Sequence, residues 1–438
     1  MPRLDVWMNG EFVATWSTDR GHVLTYDKSW ALSPRARALS LSLPITALRE
    51  VRGDAVANYF DNLLPDSDVI RRRIRTRHAT RSTDAFDLLT AIGRDCVGAV
   101  QLLPQGAPPT GFDRLEYADL SEAEVETLLR DLTASPAPGA RSESPNLRIA
   151  IAGAQEKTAL LRVEGRWVRP AGATPTTHIL KLPLGTVTRY DADFSDSVEN
   201  EWLCAQIVRE LGLPVVATKM ATFGRQRALV VERFDREWMD NGSWVARLPQ
   251  EDLCQATGTS PTGKYESDGG PGMARCLEVL GGSDSAREDR QQFMLAQLAF
   301  WLLAAIDGHA KNFSLFMHPG GRYGATPLYD VLSAWPVIGQ GPNKLPYQEA
   351  RLAMALRSKT SHDRLDSIRA RHWRELALKT DGTPAWLAMI QLVRKAEPAL
   401  DRVRPLLPRD FPAKVWEPIE AGVRRHASLF LREAEAAA

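Results

Sequence analysis

Ala305-Ile306-Asp307-Gly308-His309-Ala310-Lys311-Asn312-Phe313, followed by Pro327-Leu328-Tyr329-Asp330, is the stretch on which the reading of this chain turns. An Asp with an Asn five positions on, then a second Asp after a short hairpin, is how a phosphoryl-transfer site sets out its base and metal ligands. The first Asp takes the proton of the attacking hydroxyl, and the Asn and second Asp hold Mg²⁺ against the nucleotide phosphates. Asp307 is thus the candidate base, Asn312 and Asp330 are the candidate Mg²⁺ ligands, and ATP is the expected cosubstrate. The flanking sequence fits. Residues 293–306 are apolar on nearly every face and predict a buried helix. Residues 313–317 predict a strand, His318-Pro319-Gly320-Gly321 a turn, and 323–328 the returning strand. That hairpin folds Asn312 back towards Asp330, two oxygen donors suited to a hard cation. Taken alone, Asp307 is equally a helix-end carboxylate and Asn312 a turn amide.

A lysine adds weight. His178-Ile179-Leu180-Lys181-Leu182-Pro183 is a short apolar run with one cation, as expected of a strand that aims Lys181 at phosphates. A buried ammonium needs a carboxylate, because an unpaired charge away from water is expensive. Asp196 and Glu199 have the spacing of a capping box. The helix they would open carries Glu201 in its first turns, the preferred partner of Lys181, with Glu199 as second choice. The competing reading is a surface ion pair of little consequence. Further on, residues 215–223 and 228–231 predict strands leading into Glu232, Arg233 and Phe234, the candidate adenine hinge by position. Ala152-Gly153-Ala154-Gln155-Glu156-Lys157 sets a glycine among small residues between apolar runs, where backbone amides can approach an anion. By itself it is an ordinary turn.

These motifs carry a family resemblance. Ala152-Gly153-Ala154-Gln155-Glu156-Lys157-Thr158-Ala159-Leu160-Leu161, Thr176-Thr177-His178-Ile179-Leu180-Lys181-Leu182-Pro183 and Val231-Glu232-Arg233-Phe234-Asp235-Arg236 resemble the HipA family. Leu248-Pro249-Gln250-Glu251-Asp252, Lys264-Tyr265-Glu266-Ser267-Asp268-Gly269-Gly270-Pro271-Gly272 and Asp307-Gly308-His309-Ala310-Lys311-Asn312-Phe313 do so as well, in the same order along almost the whole chain. The resemblance implies an α+β, two-lobed, protein-kinase-like fold. It implies an N-terminal subdomain over 1–145, the nucleotide-binding part of a β-rich N-lobe over 146–235, and a helical C-lobe over 236–438. It further implies a serine/threonine protein kinase, the toxin of a toxin–antitoxin pair, that arrests growth and promotes persistence. Glutamyl-tRNA synthetase is the implied substrate. A small helix-turn-helix antitoxin of the HipB kind, bound with the toxin to operator DNA, is the implied partner. In that frame Asp307 is the base, Asn312 and Asp330 hold Mg²⁺, and Lys181 holds phosphates. Ala152, Gly153, Ala154, Gln155, Glu156 and Lys157 form the phosphate-side loop, Glu232, Arg233 and Phe234 the hinge. His309 and Lys311 lie against the nucleotide, and residues 264–272 on the substrate side.

One position departs from the family. Relatives carry a serine where this chain has Ala150, and its autophosphorylation expels the loop and switches the kinase off. Alanine has no hydroxyl to take a phosphate, and Ser142 and Ser144 are out of register. The off-switch is expected to be absent here.

Global properties suit a cytoplasmic enzyme. Its 438 residues allow two or three domains. A net charge of +1 provides no general drive towards nucleic acid. Cys96, Cys204, Cys254 and Cys276 have no metal or redox spacing and read as reduced, buried thiols. No signal peptide is expected, and 293–306 is too short for a bilayer, which needs about 20 residues. Leu4 to Trp16 reads as a hairpin about Asn9-Gly10, and 135–145 as a mobile connection. Arg71, Arg72, Arg73, Arg75, Arg77 and Arg81 are either a solvated helix face or a phosphate-contacting patch. Two other functional classes stay open: a small-molecule phosphotransferase with the same Asp and Asn loop, and a non-catalytic corepressor acting through its antitoxin.

Overall fold

The computed structural model describes residues 3–133, 150–153 and 155–436. Ala154, Ser142, Ser144 and the 135–145 connection lie outside the described residues. The chain forms two compact units that interleave along the sequence. The first comprises Met1–Leu182, Ala221–Gly263 and Ser314–Tyr323; the second comprises Pro183–Met220, Lys264–Phe313 and Gly324–Ala438.

The first unit opens with the expected hairpin. Strands Arg3–Met8 and Glu11–Ser17 pair antiparallel about Asn9-Gly10, inside a five-stranded sheet completed by Val23–Tyr26, Glu50–Arg52 and Val100–Pro104. Leu4, Val6 and Met8 join the core on one face of the sheet, and Asp5 between them is buried on the other, where it accepts the Gly106 N–H (2.8 Å). Trp16 stacks on Phe60 of helix Asp54–Asp61 at 3.9 Å between ring centroids. Ala150 joins this core fully buried, and its N–H donates to the Asp95 carbonyl (3.0 Å).

A six-stranded sheet follows, in the order Thr218–Phe223, Gln226–Glu232, His178–Lys181, Lys157–Val163, Arg166–Pro170, Tyr117–Asp119. Leu160, Leu180 and Val230 on its face pack against Val125 and Leu129 of helix Glu122–Thr133. Beside it lies a buried ion cluster of Asp95, Asp235, Arg233, Arg236 and Arg247. Burial alone would raise the Asp95 pKa. The guanidiniums of Arg236, Arg247 and Arg233 outweigh it and hold the carboxyl well below the usual carboxylate range.

Glu251, on strand Gln250–Asp252, is also buried but has no cationic partner in that cluster. It accepts the Leu41 N–H (2.9 Å), and burial pushes its carboxyl up to about 8 from 4.5. The folded state therefore keeps a proton that the unfolded chain releases, so this group erodes stability as pH rises from about 4.5 to about 8. Glu251→Gln should change stability by under about 1 kcal/mol near pH 5 and raise it by about 4 kcal/mol at pH 8. Denaturation midpoints at the two pH values check this; equal midpoints for wild type and variant at pH 8 would contradict it.

The second unit is mostly helical: Ser197–Glu210, Met273–Leu280, Ala286–Leu303, Ala370–Thr380, Thr383–Arg394, Ala396–Val403 and Ala413–Ala436. Its centre is aromatic. The His426 ring stacks on Trp301 at 4.2 Å and bonds the Trp301 carbonyl through Nδ1 (2.8 Å), and burial pushes its pKa down to about 3, so the ring is neutral.

Three local expectations change. The helix expected over 293–306 starts earlier and stops at Leu303, because Ala304 turns left-handed (φ 48°). Its last carbonyls are taken by Ser333 Oγ (to Leu303, 2.5 Å) and Trp335 Nε1 (to Leu302, 3.0 Å). The capping box at Asp196 does not form: its carboxylate makes no cap bond and instead pairs with Lys414 at 2.6 Å. The return strand of the hairpin ends at Ala325, and Leu328 pairs instead with Val215. That pairing also moves the start of the strand expected at 215 to Thr218.

Candidate active site

The loop after Leu303 is built to hold Asp307. The Asp307 carbonyl accepts two bonds, from the His309 N–H (2.8 Å) and from Asn312 Nδ2 (2.8 Å). The Asn312 N–H donates to the His309 carbonyl (2.9 Å), closing the short helical turn Ala310–Asn312. With Nδ2 committed, Oδ1 is the amide atom of Asn312 able to meet a cation. Gly308 is required by packing: a Cβ there would sit 2.3 Å from the Phe300 ring, which is buried and cannot yield. Tyr329 donates its hydroxyl to the Lys311 carbonyl (2.7 Å), which draws the Asp330 segment to the Asn312 turn, in keeping with the hairpin. Asp330 has φ 59°, a left-handed conformation uncommon outside glycine and often found at functional sites.

Asp307 itself is half-buried. Its Oδ1 accepts bonds from the Tyr190 hydroxyl (3.1 Å) and the Tyr265 hydroxyl, while Oδ2 lies 3.9 Å from His309 Nε2. His309 and Lys311 are both buried, His309 edge-on to the Tyr265 ring at 4.9 Å. Tyr190 is a site residue that the sequence does not announce. No spacing rule reaches it, since it stands 117 positions from Asp307.

Asn312 and Asp330 offer hard oxygen donors. Among the described residues no group of three or more His, Cys, Asp or Glu could hold a metal. Mg²⁺ takes one or two protein oxygens and completes its shell with phosphates and water.

The other candidates lie in the first unit. Lys181 is buried and pairs in register with Lys157 on the neighbouring strand, so both ammonium groups leave the sheet on one face. Glu199 and Glu201, the expected partners of Lys181, are buried in the second unit.

The phosphate-side loop is anchored at both ends. Gly153 (φ 107°) accepts the Asp66 N–H through its carbonyl (3.1 Å), and a Cβ there would meet Lys157 Nζ at 2.6 Å. Gln155 Nε2 donates to the Leu182 carbonyl (2.5 Å), and the Leu182 N–H to the Glu156 carbonyl (3.0 Å). Glu156 is paired with Arg73, and Ala152 is half-buried.

At the hinge position, the Arg233 N–H is spent on the Thr177 carbonyl (2.9 Å), and its guanidinium belongs to the buried ion cluster. Glu232 is exposed, and Phe234 packs edge-on against Phe316 at 5.7 Å. The basic cluster is split. On helix Asp68–His78, Arg71 pairs with Asp61 (2.6 Å) and Arg73 with Glu156, whereas Arg72 and Arg75 are exposed, as are Arg77, which donates to the Asp131 carbonyl (2.9 Å), and Arg81 beyond the helix.

Comparison with known proteins identifies the family. A model of the HipA-like C-terminal domain matches residues 149–403, and one of the HipA N-terminal domain matches residues 4–103. The chain belongs to the HipA family. Putative kinase Y4mE of Sinorhizobium fredii is 34% identical over 336 residues, 75% of this chain and 77% of that protein. The serine/threonine-protein kinase toxin HipA of Shewanella oneidensis is 29% identical over 328 residues, 70% of this chain and 69% of that protein. In three dimensions the chain matches a component of the Shewanella oneidensis MR-1 HipA, HipB and operator DNA complex with a TM-score of 0.80. The match is at 23% identity and covers 99% of this chain and 98% of that one. The fold is thus the kinase-like α+β fold of this family, and the protein is a HipA-family kinase. Among the described residues no helix is long and apolar enough to cross a membrane.

Proposed function

We propose that this chain is an ATP-dependent serine/threonine protein kinase that acts as the toxin of a toxin–antitoxin pair in the cytoplasm. The observation that carries the reading is the braced Asp307–Asn312 loop with the Asp330 segment hydrogen-bonded to it through Tyr329. Asp307 takes the proton from a substrate serine or threonine hydroxyl as that oxygen attacks the γ-phosphorus of ATP. Asn312 Oδ1 and Asp330 would hold Mg²⁺, which would neutralise phosphate charge. Lys181 and Lys157 attract the phosphates, and the backbone of Ala152, Gly153, Ala154, Gln155 and Glu156 approaches them. His309 and Lys311 line the nucleotide, and the backbone of Glu232 and Phe234, with the Arg233 carbonyl, meets the adenine.

The family membership supports a HipB-like helix-turn-helix antitoxin as partner, with operator DNA bound through the complex, as in the solved Shewanella assembly. The exposed Arg72, Arg75 and Arg81 are available for salt-dependent phosphate contact there. The substrate is a translation component, with glutamyl-tRNA synthetase first in line, and its modification brings growth arrest and persistence. Ala150 leaves the chain without a hydroxyl at the family's self-modification position.

Purified chain with Mg²⁺-ATP should phosphorylate glutamyl-tRNA synthetase, with and without its tRNA, and a Lys181→Met control should lose about 10²-fold or more of the rate. Transfer to other translation proteins but not to this synthetase would overturn the substrate assignment alone. Stimulation of ATP turnover by a sugar or aminoglycoside in place of any protein would overturn the protein-kinase reading.

A further inference from the structure

The Asp307 carboxylate is gripped from two directions by segments far apart in sequence. Tyr190 comes from the ribbon formed by Thr186–Val187 and Ala192–Asp193; Tyr265 precedes the turn Glu266–Asp268. Both hydroxyls point to one atom, Asp307 Oδ1. A carboxylate oxygen has room for about two good donors, so this oxygen is filled. Among the described residues none donates a hydrogen bond to the other: the Asp307 side chain is 41% exposed, and His309 Nε2 stands 3.9 Å from Oδ2, beyond hydrogen-bond distance.

The grip is itself supported. The Arg189 guanidinium lies 3.6 Å over the Tyr265 ring and donates to Asp268 Oδ2 (3.1 Å) and Ser267 Oγ (3.3 Å), tying the two segments together. His309 packs edge-on against the same ring at 4.9 Å. Tyr265 also fixes its own turn, accepting the Asp268 and Gly270 N–H groups at its carbonyl (3.0 and 2.9 Å). Burial, and then the charge of Asp307, push both phenol pKa values well above the ordinary range, so both hydroxyls keep the protons they donate.

We propose that Tyr190 and Tyr265 are positioning residues for the general base. They lock Oδ1 of Asp307 so that Oδ2 is the oxygen presented to the substrate hydroxyl. The inference rests on Asp307 being that base. A surface carboxylate free to rotate would spend most of its time misaimed, and fixing a reacting group in its productive geometry is worth orders of magnitude in rate. Neither tyrosine takes part in the bond changes: the proton passes from the serine or threonine oxygen to Oδ2 while that oxygen bonds to phosphorus and the ADP oxygen leaves.

The experiment uses the full chain with Tyr190→Phe, Tyr265→Phe, the double variant and Asp307→Asn, following ADP released from Mg²⁺-ATP with and without glutamyl-tRNA synthetase. Each single change removes one hydroxyl and keeps the ring, so each should lower kcat about tenfold, and the pair more, with KM for ATP held within about twofold. Thermal midpoints should stay at the wild-type value. An unchanged kcat in the double variant, beside an inactive Asp307→Asn, would overturn the positioning role and leave the base assignment intact. A raised kcat would also overturn it, since the hydroxyls would then be obstructing the substrate's place. A fall in kcat accompanied by a raised KM and a lower melting midpoint would reduce them to structural contacts. Full activity in Asp307→Asn would remove the base assignment, and the positioning role with it.

Discussion

Asp307→Asn is expected to lower the rate of phosphoryl transfer by about 10²–10⁴-fold, the usual worth of a positioned general base. The amide is the same size as the carboxylate, and its oxygen can still accept from Tyr190 and Tyr265, so the loop should keep its shape. It cannot take up the proton of an attacking hydroxyl. The backbone bonds that brace the loop, from His309 and Asn312 to the Asp307 carbonyl, do not involve the side chain and survive the change. ATP affinity should therefore stay within about threefold of wild type, a kcat effect without a KM effect. Single-turnover transfer and equilibrium nucleotide binding measure the two separately. A transfer rate within tenfold of wild type would mean that another group serves as base.

Asp95→Asn should be the most damaging single change to stability outside the loop. Asp95 accepts from Arg236 Nη2 (3.0 Å), Arg247 Nε (3.1 Å) and Thr176 Oγ (2.7 Å), with Arg233 at 3.6 Å. The cluster sets three guanidiniums against the carboxylates of Asp95 and Asp235, all of them buried. Removing one carboxylate leaves three buried cations facing one anion, and the new NH₂ group points a donor where only donors converge. Breaking a buried charge cluster from one side costs about 3–5 kcal/mol. Because the folded pKa is depressed, the Asp95 contribution is fully present at neutral pH and is lost as pH falls below about 4. The gap between wild type and variant should accordingly narrow in acid. Urea denaturation at pH 7, followed through the tryptophans, checks the size of the effect. A loss under about 1 kcal/mol would show that water or a neighbouring group compensates the cluster.

The parts of the site that are legible in the sequence are those made by neighbours along the chain. Asn312 bonds the Asp307 carbonyl across a tight turn, and Tyr329, next to Asp330, bonds the Lys311 carbonyl; spacing along the chain anticipates closeness of this kind. Lys181 can be placed on a strand because a lone cation in an apolar run must answer to an anion, although its pairing with Lys157 requires the strand register. Family membership comes from the motif order, not from composition, which suits any ordinary globular enzyme.

What stays hidden depends on contacts between distant segments. Tyr190 is 117 positions from the carboxylate it holds. Arg233 stands at the hinge position, yet its side chain answers to Asp95 and Asp235 and its N–H to the Thr177 carbonyl, and only its own carbonyl remains for that role. Arg73 looks like one charge in a basic run, and it clasps Glu156 of the phosphate-side loop. Asp196 has the right spacing for a capping box, but Lys414, more than two hundred positions away, takes its carboxylate. In the last three cases tertiary packing overrides a sound local rule.

The most direct test follows the phosphate itself. The chain is incubated with Mg²⁺ and γ-labelled ATP in a protein extract, beside Asp307→Asn, and the labelled proteins are hydrolysed to identify the phosphorylated amino acid. Label on serine or threonine, absent from the Asp307→Asn reaction, is the predicted result. Nucleotide bound but no label transferred to any protein, or label carried equally by the variant, would contradict a serine/threonine kinase working through Asp307.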